Sequence, residues 1–357
     1  MGKTIKGTVL MESLLEQRQK QFRATGMVLF EVSAGLLVAR IVAGLLSGAI
    51  NDTLLDVIFN VLMQVVFLLI GPFLIYKLAL KKSFFQVLSF SNVRKPDWYI
   101  MLLCIPLGIC CFIATIGIST IWQVILVLMG YTPGGGGAYP ETFSAWLLLL
   151  NIFLTGVLPG ICEEFTNRGG LVTTMRGSFN NAQTILLCGL MFGLFHQNIT
   201  QIFYTFLFGM LMTALVLKTK SIFPAMAVHF INNSLSVYLD YADAYSLPLG
   251  GFFDAVNNLL GSNFVLAVFL WALVSGAGAL IFFVILKLAK KGKSKGLDSA
   301  FSSGIRITEA EGEPVTDDGA PLEDKMLYKP VLRDWAFYIG ALAMTAVTTI
   351  FTFIWGL

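Results

Sequence analysis

Long apolar runs dominate this chain of 357 residues. Hydrophobic residues make up 56% of the sequence and charged residues only 13%. Runs of about 20 apolar residues recur along the chain, and a helix of that length crosses the hydrocarbon core of a bilayer. The composition therefore predicts an all-α, polytopic transmembrane helical bundle, which is an integral, multi-pass membrane protein in contact with the lipid bilayer.

The apolar runs divide into about nine predicted helical spans. Their approximate bounds are 27–49, 53–80, 98–130, 144–176, 181–198, 201–218, 221–240, 263–289 and 332–356. Lysine and arginine occur in the N-terminal segment and in alternate loops, at 81–95, 176, 218–220 and 287–295. The other loops, around 50–52, 131–143, 198–200 and 241–262, contain neither. The positive-inside rule then predicts a cytoplasmic N-terminus and a C-terminus outside.

Composition also predicts how the chain is organised. The expected segments are a cytoplasmic N-terminal segment (1–26), N-terminal transmembrane helices (27–143), a core (144–240), an extracytoplasmic loop (241–262), a transmembrane helix (263–289), a flexible cytoplasmic linker (290–331) and a C-terminal transmembrane helix (332–357). The linker is rich in Gly, Ser, Asp, Glu and Pro, which bury too little apolar surface to fold alone. A net charge of +3, scattered along the chain, argues against a nucleic-acid partner.

Charged residues well inside a predicted span are the exception, because each costs about 2.5–3.5 kcal/mol at the bilayer centre. The span 144–176 carries Glu163, Glu164 and Arg168. Glu164 and Arg168 are four residues apart, so they share a helix face within reach of an ion pair. That pairing leaves Glu163 as the freer carboxylate. A buried packing network of all three residues is the alternative interpretation.

The two histidines of the chain, His196 and His229, both lie in apolar runs. Each has a partner four residues away on the same helix face, Phe192 for the first and Asn233 for the second. At ~1.5 Å of rise per residue, Glu163 and Asn233 lie roughly 20 Å above the cytoplasmic ends of their spans. His196 lies roughly 22 Å and His229 roughly 13 Å above theirs. Independent packing roles would not require this agreement in depth.

These side chains suit hydrolysis of a peptide bond. A carboxylate and an imidazole can share a water, remove its proton during attack on a carbonyl, and later protonate the leaving amine. A second imidazole and a carboxamide can donate hydrogen bonds to the oxyanion. Alternatively, Glu163, His196 and His229 could hold zinc, since one carboxylate and two imidazoles match the usual three-ligand catalytic shell. The residues alone leave open whether the cofactor is none or one zinc ion.

The motifs also resemble those of a known family. They are Glu163-Glu164-x-x-x-Arg168, Phe192-x-x-x-His196 and His229-x-x-x-Asn233, in this order on successive apolar helices. They are similar to the three motifs of the CAAX protease and bacteriocin-processing (CPBP) family of intramembrane proteases, which includes the type II CAAX prenyl endopeptidases. The resemblance covers roughly residues 144–240.

The resemblance implies an active site buried between core helices. It implies that Glu163 and His196 activate the water and that His229 and Asn233 stabilise the oxyanion. Glu164, Arg168 and Phe192 would then support the site. Family members are described as metalloproteases, and a metal-free glutamate mechanism has also been proposed, so the resemblance leaves the zinc question open.

The sequence supports three hypotheses. The leading one is an intramembrane endopeptidase, related to CAAX prenyl endopeptidases, that hydrolyses a peptide bond of a membrane-associated or lipid-modified polypeptide. The second is a non-proteolytic membrane scaffold or bacteriocin-immunity protein with the same fold, because some family members serve in such roles. The third is a transporter that uses Glu163 and Arg168 as an ion relay. A transporter of this kind often contains paired discontinuous helices in two repeats, and the sequence shows no clear repeat.

Overall fold

The computed structural model describes residues 2–46, 52–132, 142–252, 255, 258, 263–289 and 328–355. Over these residues the secondary structure is helical and contains no strand. The predicted all-α, polytopic bundle is confirmed. Most of the predicted linker 290–331 and part of the predicted loop 241–262 lie outside the described residues.

The described part of the chain folds into the helices α1 (Gly2–Leu46), α2 (Asp52–Val61), α3 (Gly71–Ala79), α4 (Phe84–Phe90), α5 (Trp98–Leu128), α6 (Ala145–Ile152), α7 (Leu158–Glu164), α8 (Val172–Arg176), α9 (Asn181–Phe195), α10 (Ile202–Thr219), α11 (Phe223–Tyr245), α12 (Phe264–Leu288) and α13 (Ala336–Trp355). The π-helical stretches Leu62–Ile70, Phe153–Val157 and Phe165–Leu171 join α2 to α3, α6 to α7 and α7 to α8 without a break. A 3-10 turn, Leu332–Trp335, precedes α13.

Seven helical segments of the described chain are long and apolar enough to cross a membrane. They are Leu14–Leu46, Val57–Ala79, Trp98–Leu128, Ala145–Arg176, Ile202–Thr219, Phe264–Leu288 and Leu332–Phe351. The predicted count of about nine is not confirmed. Helix α9 has only 15 residues, or ~22 Å at 1.5 Å per residue, against a hydrocarbon core of about 30 Å. Helix α11 is long enough, but its histidine, asparagines and aspartates lower its hydropathy.

Both of these helices nevertheless pack inside the bundle. Helix α9 lies against α10, and the loop between them reverses the chain direction. Helix α11 packs in parallel along α5, where the side chain of Ile231 fills the space above Gly108 and Thr115 Oγ1 donates to Asn232 Oδ1 at 3.2 Å. A helix that is covered by neighbouring helices can carry polar residues at membrane depth, because those residues face protein rather than lipid.

The π-helical stretch Phe165–Leu171 widens the helix that carries the first motif. Such stretches are rare and occur frequently at functional sites. Tertiary hydrogen bonds hold both its backbone and its side chains: Asn92, in the turn after α4, donates from Nδ2 to the Arg168 carbonyl at 3.0 Å. Thr166 Oγ1 in turn donates to the Leu68 carbonyl at 2.6 Å. The widened turns are therefore fixed on both sides by tertiary contacts.

Helices α1 and α13 pack side by side and run parallel. Tyr338 Oη donates to the Phe22 carbonyl at 3.0 Å, and the two rings lie 4.7 Å apart. Asp334, which is 1% exposed, accepts hydrogen bonds from Arg23 Nε at 2.7 Å and from the Tyr328 hydroxyl. The chain that follows the predicted linker is thus anchored on the first helix.

Candidate active site

Glu163 lies in the last turn of α7, half-buried, and lines a cavity of about 910 Å³. Its Oε1 atom accepts a hydrogen bond from Gln64 Nε2 at 2.9 Å. Its Oε2 atom is buried and has no hydrogen-bond partner in the part of the chain that the structure describes. Glu163 therefore has one carboxylate oxygen fixed by a hydrogen bond and one oxygen available to bind a water or a substrate.

Glu164 faces the opposite way, into a buried charge network. Its Oε1 atom lies 3.1 Å from Arg168 Nη1 and 2.9 Å from His229 Nδ1. The ion pair predicted from the spacing of Glu164 and Arg168 is therefore present. The Arg168 guanidinium also lies over the rings of Phe192 and Phe208, with its central carbon 4.2 and 5.9 Å from their centroids. Cation–π contacts of this kind help to stabilise a cation that is removed from water.

His196 follows the last residue of α9 and faces the same cavity as Glu163. Its Nδ1 atom lies 2.9 Å from the Phe192 carbonyl oxygen. Because a carbonyl oxygen only accepts hydrogen bonds, Nδ1 carries a proton, and the neutral ring has its lone pair on Nε2. Arg40 of α1 donates to the His196 carbonyl at 3.2 Å. The first helix thus helps to fix the position of this histidine.

His229 and Asn233 lie on α11 and also line the cavity. With Nδ1 directed at Glu164, the Nε2 atom of His229 is the ring nitrogen left for another partner. Asn233 Nδ2 donates to the Thr155 carbonyl at 2.9 Å, and its Oδ1 atom accepts from Asn232 at 3.0 Å. A carboxamide nitrogen has two hydrogens, so Asn233 retains one donor. All four residues predicted to act on the substrate therefore line one cavity.

Residues 145–235 match the family model described as Type II CAAX prenyl endopeptidase Rce1-like. Residues 145–235 are called the Rce1-like segment below, after the model that they match. It extends from α6 into α11 and contains all three motifs, so the resemblance to the type II CAAX prenyl endopeptidases is confirmed over this part of the chain. No curated protein and no solved structure matches the chain. The Rce1-like match, together with seven apolar helices, identifies an integral membrane protein.

The Rce1-like segment does not form the predicted zinc shell in this arrangement. Within the described residues, the structure contains no group of three or more His, Cys, Asp and Glu side chains that could hold a metal ion. Glu163, His196 and His229 do not form such a group here, and zinc binding by them stays a prediction.

Sequence reasoning missed one direct partner of the Rce1-like segment and most of the cavity wall. Gln64 lies 99 residues from Glu163 in sequence yet bonds to its carboxylate. Asn60, Thr115 and Asp240 also line the cavity. Gln64 and Asn60 are polar residues in an apolar run, and such residues commonly face the interior of a helical bundle. Their polarity was therefore the signal by which the sequence could have indicated them.

Proposed function

We propose that this chain is an intramembrane endopeptidase that hydrolyses a peptide bond of a membrane-associated or lipid-modified polypeptide. The observation that carries the proposal is the convergence of Glu163 and His196 on one cavity, each with an atom free to bind water. These atoms are Glu163 Oε2 and His196 Nε2. The name of the matched family adds the substrate class of prenylated C-terminal tails.

The proposed reaction begins with a water held between Glu163 and His196. One of the two removes a proton as the water oxygen bonds to the carbonyl carbon, and the carbonyl π electrons move to the oxygen to give a tetrahedral oxyanion. The oxyanion then collapses, and the C–N bond breaks with its electron pair on nitrogen. The nitrogen takes up the proton that was removed, so the products are a carboxylic acid and an amine.

The oxyanion is stabilised in this proposal by His229 and Asn233. Because His229 Nδ1 is directed at Glu164, its ring donates through Nε2 only when both nitrogens carry protons. In that form the group of Glu164, Arg168 and His229 has a net charge of +1. A fixed positive charge beside the developing oxyanion, in a site largely removed from water, stabilises the transition state more than it would in solution.

The ion-relay alternative loses its geometric basis. It required an ion to pass between Glu163 and Arg168. Arg168 instead pairs with Glu164 and is 1% exposed, so it does not face the cavity as Glu163 does. The non-proteolytic scaffold makes a separate prediction, since a scaffold does not need a water-activating carboxylate. A Glu163→Gln variant would then replace the wild type in cells.

A cleavage assay on the purified protein tests the proposal. The probes are two fluorescence-quenched peptides that end in a cysteine and an aliphatic tripeptide, one farnesylated on the cysteine and one not. The wild type is expected to release the tail. Glu163→Gln and His196→Ala are each expected to lower kcat/KM by about 10²–10⁴-fold, which is the usual contribution of a general base.

Glu16→Gln provides the matched control, because Glu16 is an exposed carboxylate that pairs with the exposed Lys20, four residues away on α1. This variant should cleave at the wild-type rate. Unfolding temperatures of all variants must stay close to that of the wild type for the comparison to hold. Wild-type rates in the Glu163→Gln protein would refute the assigned role, and complementation by that variant in cells would favour the scaffold.

A further inference from the structure

The cavity extends from the candidate active site toward one end of the bundle. Along α5 its lining continues to Leu128, the last residue of the helix. Along α10 it continues to Gln201, the residue before the helix begins, and along α11 it continues to Asp240, near the helix end. These three helix ends lie on the same side, because α5 and α11 are parallel and α10 precedes α11 through a short reversal. The cavity therefore has a mouth at this end.

Polar stripes lead from the mouth to the site. On α5 the stripe is Thr115, Ser119 and Gln123, and on α11 it is His229, Asn233, Ser236 and Asp240. Spacings of three and four residues place the members of each stripe on one helix face. From Asp240 to His229 the rise is roughly 17 Å at 1.5 Å per residue. An extended chain rises about 3.4 Å per residue, so about five residues would span the distance.

The cavity wall carries two carboxylates. Glu163 at the base and Asp240 at the mouth are acidic, and among the described residues that line the cavity none is Lys or Arg. Ser236 and Asp240 are both exposed. The opposite ends of the same helices are basic, with Arg94 and Lys95 before α5 and Lys218 near the end of α10. By the positive-inside rule the basic ends face the cytoplasm, which places the mouth on the other side.

We infer that the substrate is an extended peptide segment with net positive charge, which enters the cavity from the non-cytoplasmic side past Asp240. This inference rests on the proposed function and names its substrate class and direction of entry. Carboxylates at the mouth and base of a narrow cleft raise the local concentration of cations and disfavour acidic segments. The amide and hydroxyl groups of the two stripes offer hydrogen bonds to the backbone of an extended chain.

Thiol labelling tests entry without any need for cleavage. Ser236→Cys and Gln123→Cys place a cysteine at the mouth, and the five native cysteines, all buried, leave the wild type as the background control. The probes are two membrane-impermeant methanethiosulfonates of similar size, one carrying a trimethylammonium group and one a sulfonate. Ala182→Cys is the matched control, since Ala182 is exposed in the first turn of α9, at the basic end.

We expect both mouth variants to react in intact cells and Ala182→Cys to react only after permeabilisation. The rate of each reagent with a mouth cysteine is divided by its rate with a small thiol in solution. This normalised rate should be on the order of tenfold higher for the cationic reagent than for the anionic one. Adding Asp240→Asn to the Ser236→Cys protein should reduce this preference. Mouth labelling that needs permeabilisation, mouth cysteines that react under neither condition, or a rate ratio without cationic preference would each overturn the inference.

The outcome is separable from that of the proposed function. Unchanged cleavage by Glu163→Gln would remove the proposed chemistry and leave the labelling result intact. Conversely, labelling of the mouth cysteines from the cytoplasmic side would overturn the entry route. The loss of cleavage in Glu163→Gln would still support the proposed chemistry. In the cleavage assay itself, an unprenylated peptide with lysines within about five residues of the cleaved bond should be preferred over its glutamate counterpart.

Discussion

Glu163 and Glu164 are neighbours in sequence, and the two sides of α7 on which they lie differ in water access, pairing and packing. On the cavity side, Glu163 is half-buried, touches Gln64, and has an oxygen without a partner among the described residues. On the network side, Glu164 is 0% exposed and is held by Arg168 and His229. The difference shows how one helix can present a reactive carboxylate and anchor a structural one in consecutive positions. Substitutions on the two sides should therefore separate activity from stability.

The largest expected effect is on the network side. Arg168→Met leaves Glu164 buried without its guanidinium, and breaking a buried ion pair from one side costs about 3–5 kcal/mol of unfolding free energy. Equilibrium unfolding in detergent measures this loss. Arg23→Met is the matched control, because its partner Asp334 keeps hydrogen bonds from Tyr328 and from the Val331 backbone. Equal stability of the two variants would contradict the division into two sides.

The adjacent carboxylates should respond differently to the same change. Glu164→Gln removes the charge that faces Arg168 and His229, so we expect it to lower the free energy of unfolding by about 1–3 kcal/mol. Glu163→Gln can still accept the hydrogen bond from Gln64, and its unfolding free energy should change by less than about 1 kcal/mol. Cleavage and unfolding measured on the same two preparations check the pair. A stability loss confined to Glu163→Gln would reverse the comparison.

Close packing of the π-helical stretch Phe165–Leu171 predicts a smaller effect at Gly170. A Cβ atom at this position would overlap Tyr76 Oη, and Tyr76 is 0% exposed and cannot move aside freely. Gly170→Ala should therefore cost about 1–3 kcal/mol through overpacking. Gly276→Ala tests the same substitution in α12, where a Cβ would meet nothing within 4 Å. That variant should be neutral or slightly more stable, because alanine is the better helix former.

The smallest effect is expected from a partner on the cavity side. Gln64→Leu removes the hydrogen bond to Glu163 and leaves the carboxylate less firmly oriented. A bond of this kind contributes about 1 kcal/mol, so kcat should fall roughly fivefold to tenfold. The value of KM should stay nearly constant if Gln64 acts only on Glu163. A change in KM with unaltered kcat would instead make Gln64 a substrate contact.

Local sequence spacing was sufficient for part of the site. The pairing of Glu164 with Arg168 follows from a separation of four residues on one helix, which no tertiary arrangement needs to supply. The same is true of the turn that carries Phe192 and His196, where Nδ1 bonds to the carbonyl four residues earlier. Counting residues from the predicted cytoplasmic helix ends also predicted that the four candidates share a depth, and all four line one cavity.

Contacts between distant residues could not be obtained in this way. His229 bonds to Glu164 across 65 residues and Gln64 bonds to Glu163 across 99. Each depends on how two helices are rotated and shifted against each other. That arrangement is set by close packing of side chains and by π-helical turns such as Phe165–Leu171, whose position the apolar pattern does not reveal.

The sequence by itself determined that this protein is a helical membrane bundle with an Rce1-like segment, because apolar length and motif spacing are local properties of the chain. Only the tertiary structure decided which carboxylate faces the cavity and which faces Arg168 and His229. It also decided that α9 and α11 pack within the bundle although neither has both the length and the hydropathy of a membrane span. The physical reason is that burial inside a bundle depends on neighbouring helices, whereas hydropathy is read along one helix at a time.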